Sequence, residues 1–163
     1  MGLQDELITA NAAYADGFDL GNYPARPVRR FAVVTCMDCR LEPFAFLGLA
    51  PGDAHVLRNA GGVVSDDVLR SLAVSHGILG TQEAFVIGHT SCGMQSLSNT
   101  EIGERLTQQG INARGVDFLA FEDLEESVRA SVRRIRESPL LPDSFGAAGL
   151  VYDIKTGRIS PVD

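Results

Sequence analysis

Positive charge is in short supply. The 163 residues carry 14 Lys and Arg against 21 Asp and Glu, a formal net charge of −7. A nucleic-acid or anionic-membrane partner is therefore not expected. Cysteine is scarce as well. Three residues are too few, and an odd number, for a disulfide scaffold, so the thiols are available for metal or catalysis in a reducing, cytoplasmic setting. No apolar run approaches twenty residues, and the first residues lack the apolar core of a secretion signal. Neither a membrane span nor secretion by a standard signal is expected. Repeats and low-complexity segments are missing too. What is present in quantity is 45% hydrophobic residues with mixed charges, enough for one globular domain over 1–163 with a core of its own.

The chain alternates between two periodicities. Residues 3–16 read as a helix with few apolar anchors, and "LGNYPARPVRR" after it as a Gly/Pro linker. Residues 1–28 together form a helix and arm of the kind that packs on a partner subunit. "FAVVTCMD" is a Val-rich apolar run, the pattern of a fully buried strand. "RLEPFAFLGLA" reads as a short helix and "AHVLRNAGG" as a second strand. "SDDVLRSLAVSHGILG" is a helix capped by Ser65, with Asp66 and Asp67 at its positive end and Gly80 to stop it. Val68, Leu72 and Leu79, with Ala73, Val74 and Ile78, would form a wide buried face. "EAFVIGHTSCGM" is a third buried strand running into a loop, and a helical region extends to about Gly110.

"FEDLEESVRASVRRIRES" is strongly amphipathic, with Leu124, Val128, Val132 and Ile135 as its stripe, acids at its start and arginines at its end. "AAGLVYDIKTGRISPV" reads as a hairpin-like pair of strands. The alternation predicts an α/β fold with a mostly parallel central sheet between two helical layers, a three-layer α-β-α arrangement. Cys36 and His89 fall at the carboxyl ends of predicted strands, where such sheets bind ligands.

Two stretches carry chemistry. "VVTCMDCR" contains Cys36, Asp38, Cys39 and Arg40, and "GHTSCGM" contains His89 and Cys92. Two thiolates and an imidazole suffice for a zinc site that keeps one position open for water. Cys39 could instead complete a closed structural site or form a Cys-x-x-Cys redox pair with Cys36. The redox reading leaves His89, Cys92 and Arg40 without a purpose. Asp38 could also cap the following helix.

Taken together, Cys36-x-Asp38-x-Arg40, "RNAGG" from Arg58, and His89-x-x-Cys92 resemble the β-class carbonic anhydrases, in particular their compact bacterial members. The resemblance runs from about Phe31 to Met94. It implies that Cys36, His89 and Cys92 bind Zn2+, and that the reaction is reversible hydration of carbon dioxide to bicarbonate and a proton by zinc hydroxide. It further implies that Arg40 holds Asp38 ionised, so that Asp38 orients the hydroxide. Two thiolates neutralise much of the zinc charge, so the metal needs this help. In a closed state Asp38 would itself bind the metal. Cys39 occupies a slot that usually holds serine or alanine and reads as a small filler.

The resemblance also implies a homodimer or homotetramer whose partner subunits line a small apolar cleft. His55, Ala60 and Gly61 are candidates for that cleft or for a proton relay, although His55 on a strand and His76 on a helix have plain structural readings. Without tryptophan, the tryptophan-containing bicarbonate pocket of some relatives should be absent. Relatives with the same trio hydrolyse carbonyl sulfide or carbon disulfide, so that activity is the alternative. A zinc-holding module without turnover is a third reading, which the intact Asp38 and Arg40 oppose.

Overall fold

The structure is a computed structural model that describes residues 2–163. Five strands form one sheet: β1 (Phe31–Cys36), β2 (Ala54–Asn59), β3 (Glu83–His89), β4 (Gly146–Tyr152) and β5 (Ile159–Val162), in the order β2-β1-β3-β4-β5. The first three pairings are parallel and β4–β5 is antiparallel, as the hairpin-like ending predicted. β1 is buried at all six positions because it is covered on both faces, which explains its unbroken apolar run. The chain moves from β1 to β2 on one side and from β3 to β4 on the other. The order therefore reverses between β1 and β3.

The helices are α1 (Leu3–Ala15), α2 (Pro43–Phe46), α3 (Asp66–Gly77), α4 (Asn99–Gln108) and α5 (Leu124–Arg136). Ser65 Oγ accepts from Val68 N, the cap expected at the start of α3, and Asp123 Oδ1 accepts from Glu126 N and caps α5. Val128, Val132 and Ile135 of α5 and Val68, Leu69 and Leu72 of α3 bury against Ala32, Val34, Ala84 and Val86 on one sheet face. α5 sits close because Gly88 and Gly149 lie beneath it. A Cβ on Gly149 would come 2.6 Å from Val128 Cγ1.

One expectation for α3 is corrected. Val74 and Ile78 are 46% and 74% exposed, while Leu69 and Ser75 are buried in their place. Positions 68, 72 and 75 share one helical face, and 74 and 78 lie on the neighbouring one, which the sheet does not reach.

The opposite face carries a thinner layer. Phe31, Val33, Ala54 and Ile87 are buried there under Phe46, Leu47 and Leu49 from α2 and its sequel. A cavity of about 270 Å³ remains, lined by Phe31, Leu47, Leu49, Phe85, Ile87 and Leu150 with Arg29 and Glu83. α1 buries no residue, and Leu3, Leu7 and Ile8 are more than 60% exposed. The arm after it does lie on its own chain: Val28 N donates to Gly52 O and Arg29 N to Asp53 O. Among the described residues, no helix is long and apolar enough to cross a membrane.

Candidate metal centre

β1 and β3 are neighbours in register, Thr35 opposite Ile87, so both release their chains at the same end of the sheet. That end is the switch point where open α/β sheets bind ligands. Cys36 closes β1, His89 closes β3, and Cys92 follows on the loop after β3. Their ligand atoms lie within 4.8 Å of one another, and the three residues are 5%, 1% and 1% exposed. The two sulfurs are 4.0 Å apart and unbonded.

The histidine shows what this cluster is built to hold. His89 Nδ1 donates to the carbonyl of Thr90 at 2.9 Å, which leaves the lone pair on Nε2. Nε2 is buried and has no hydrogen-bond partner, the sole such side-chain nitrogen or oxygen among the described residues. An orphaned buried acceptor costs about 1–3 kcal/mol. Beside two cysteine sulfurs, the soft donor set of a zinc ion, that cost is relieved by a metal. The residues present therefore fit zinc. Burial, with the neighbouring Cys36 adding to it, pushes the Cys92 thiol up to about 11.

Asp38 and Arg40 form the expected pair at the mouth of the cluster. Arg40 Nε donates to Asp38 Oδ1 at 2.8 Å and Nη2 to Oδ2 at 2.6 Å, a bidentate fork. These bonds hold the Asp38 carboxyl far below the usual carboxylate range. Asp38 Oδ2 lies 3.8 Å from His89 Nε2, close to the cluster but not hydrogen-bonded to it. Asp38 is not a helix cap, because Glu42 precedes α2. Its carboxylate instead accepts from the Arg40 backbone at 3.0 Å and closes a local turn. Cys39 is exposed and free, outside the cluster.

The remaining candidates divide. Ala60 and Gly61 form a single 3-10 turn after β2. Gly61 faces Met94 and Phe121, which pack against Cys36, Leu41 and Cys92. His55 stands elsewhere. It is four residues before Asn59, the partner of Cys36 across the sheet, a run of about 13 Å along the strand. Its Nε2 faces the carbonyl of Ala25, and its Nδ1 shares a hydrogen bond with Ser75 Oγ at 2.7 Å. Within one chain His55 is thus an arm-to-core link, and His76 likewise bonds the carbonyl of Thr81.

Ser91, Met94 and Phe121 were not legible as contributors in the sequence, whereas Arg58 was marked there as the head of "RNAGG". Ser91 adopts φ +56° and turns its carbonyl to Arg40 Nη2 at 3.1 Å, so the loop between the two ligands also holds the arginine. Arg58 grips the backbone after β1. Met94 and Phe121 wall the cluster, with Phe121 N bonded to Met94 O. Gly61-Gly62 was the one signal for this close packing.

Comparison with known proteins agrees with this geometry. A family model described as carbonic anhydrase matches residues 31–159. Beta-carbonic anhydrase 1 of Mycobacterium tuberculosis is 39% identical, with 99% of each chain covered. A carbon disulfide hydrolase of Acidianus is 34% identical over 80% of this chain and 76% of its own. The crystal structure of a carbonic anhydrase from Streptococcus mutans superposes with a TM-score of 0.95 at 47% identity, covering 100% of this chain and 99% of that one. Motif, site geometry and these relatives lead to one conclusion: the chain belongs to the β-carbonic anhydrase family.

Proposed function

We propose that this protein catalyses the reversible hydration of carbon dioxide to bicarbonate and a proton, at a zinc ion held by Cys36, His89 and Cys92. The observation that carries the reading is the buried, unpartnered Nε2 of His89 beside two free sulfurs, with an arginine-gripped carboxylate next to it. A zinc ion bound there supplies a Lewis acid able to ionise water near neutral pH. Every other task falls to the chain. The Thr90 carbonyl keeps the His89 lone pair on Nε2. Arg40 keeps Asp38 ionised, and Asp38 accepts a hydrogen bond from the nucleophilic water and directs its lone pair at the carbon of CO2. The same fork restrains Asp38 as an acceptor, since a carboxylate that bound the metal instead would close the site. Leu41, Met94 and Phe121 give an apolar wall suited to a linear, non-polar substrate.

We further propose that the enzyme works as a homodimer or a larger assembly in the cytoplasm. α1 buries nothing on its own chain, and Val74 and Ile78 of α3 and the 270 Å³ cavity, whose lining is mostly apolar, lie uncovered. A second copy that covers them removes that surface from water. The three free thiols suit a reducing compartment.

The test is stopped-flow hydration of CO2 beside metal analysis and beside hydrolysis of carbonyl sulfide and carbon disulfide. One zinc per chain and CO2 turnover are expected, and Asp38→Ala should lower kcat by about 100-fold while retaining zinc. Rapid sulfide release without CO2 turnover would assign the chain to the activity of its carbon disulfide hydrolase relatives instead.

A further inference from the structure

Asp38 is held at two places. Arg40 grips its carboxylate, and a second arginine grips its backbone. Arg58, near the end of β2, reaches over the loop that follows β1. Its Nε donates to the carbonyl of Cys36 at 3.0 Å and its Nη2 to the carbonyl of Asp38 at 2.6 Å. Both acceptors are main-chain oxygens, and among the described residues no carboxylate forms an ion pair with Arg58.

The segment needs such a hold. Cys36 is the last residue of β1 paired with β2, and Thr35 the last paired with β3. Beyond them a single ladder-like bond remains, Met37 N to Asn59 O at 2.8 Å. Yet this is where the chain must present a sulfur to the metal and, two residues on, a carboxylate beside it. A planar fork with fixed donor directions can tie two carbonyls two residues apart, and in doing so it sets the backbone that aims both side chains. Gly62 presses on the same backbone from another side, since a Cβ there would lie 2.7 Å from Cys36 N.

We propose that Arg58 is a positioning residue for the reaction: its fork on the Cys36 and Asp38 carbonyls sets the placement of the metal-binding sulfur relative to the orienting carboxylate. This rests on the zinc reading above. Lysine cannot replace it, because one ammonium group reaches one carbonyl at a time.

The experiment compares Arg58→Ala and Arg58→Lys with the parent in the full chain. Outer partners of metal ligands typically contribute 10–100-fold to activity or affinity. Both variants should hold one metal per chain, lose kcat by about 10–100-fold with KM changed by less than about threefold, and shift the visible absorption bands of the cobalt(II)-substituted protein. Methylguanidine should restore several-fold of the lost kcat to Arg58→Ala and none to Arg58→Lys, whose side chain fills the vacated space. In the metal-free chain, amide exchange at Met37 and Leu41 should speed up in both variants.

Parent-like kcat and cobalt bands in the variants would overturn the proposal, as would unchanged exchange at those amides. If Arg58→Ala does not fold, Arg58→Lys carries the same readouts. A parent protein without zinc or CO2 turnover would sink the functional reading, a separate failure, because amide exchange in the metal-free chain still reports on the clamp.

Discussion

Gly62→Ala is the sharpest test of how the fold holds its metal centre. Gly62 has φ +65°, in the left-handed region, and its missing Cβ would stand 2.7 Å from Cys36 N and 2.8 Å from Thr35 C. The left-handed conformation costs a non-glycine residue about 1–2 kcal/mol. The contact adds to this. Ordinary van der Waals separation begins at 3.4 Å, and the atoms met are backbone at the end of a central strand, with no flexible side-chain tip to give way. Forcing extra atoms into such a site costs about 1–3 kcal/mol. The sum, about 2–5 kcal/mol, is a large part of the 5–15 kcal/mol that holds a typical domain together.

Gly48 supplies the control. It has φ +62°, but nothing lies within 4 Å of where its Cβ would be, so Gly48→Ala should lose only the conformational part, about 1–2 kcal/mol. Urea denaturation of both metal-free variants at equal slope measures the difference. Gly62→Ala should also bind zinc more weakly, because the displaced atoms include the backbone nitrogen of Cys36. If Gly62→Ala is no less stable than Gly48→Ala, the close approach does not carry the cost assigned to it and the reasoning fails.

Cys39→Ser should leave zinc content and CO2 turnover at parental levels, whereas Cys36→Ser should lose both; metal analysis and stopped-flow rates decide, and equal losses would return Cys39 to the site. Acid stability should fall below about pH 4, the ordinary carboxylate range. Glu101, bonded by Ser98, Glu126, bonded by Arg133, and Asp153, bonded by the Lys155 and Thr156 amides, all have pKa values lowered in the folded state. Their contribution is present above the unfolded-state pKa and is lost as pH falls through the folded one. The combined Glu101→Gln, Glu126→Gln and Asp153→Asn variant should show a shallower loss of urea midpoint between pH 5 and about pH 2, and an unchanged slope would remove these groups from the account. Leu7→Glu with Ile8→Glu on α1 should lower the oligomeric state seen by light scattering while sparing the fold, since neither side chain is buried; an unchanged mass would exclude α1 from the interface.

The amino-acid sequence by itself determined every element whose signal is local. A Val-rich run long enough for one strand defined β1, a 3.6-residue stripe with acids first and arginines last defined α5, and Ser65 marked where α3 begins. It also named the trio and the Asp38–Arg40 pair, because a two-residue offset puts those two side chains within reach of each other. What only the tertiary structure decided depends on hydrogen bonds between segments far apart.

Cys36 and His89, 53 positions apart, meet because β1 and β3 pair in parallel register at the point where strand order reverses. The Thr90 carbonyl that leaves Nε2 of His89 orphaned, the Ser91 carbonyl that holds Arg40 and the two backbone oxygens gripped by Arg58 are main-chain groups that every residue type carries, so the sequence marked Arg58 within its motif but not what it holds. For the same reason Val74 and Ile78 looked like core. Hydrophobicity marks a face as apolar, but whether the sheet lies beneath it is set by the crossing of α3 over the strands, and here those two residues fall just beyond its reach.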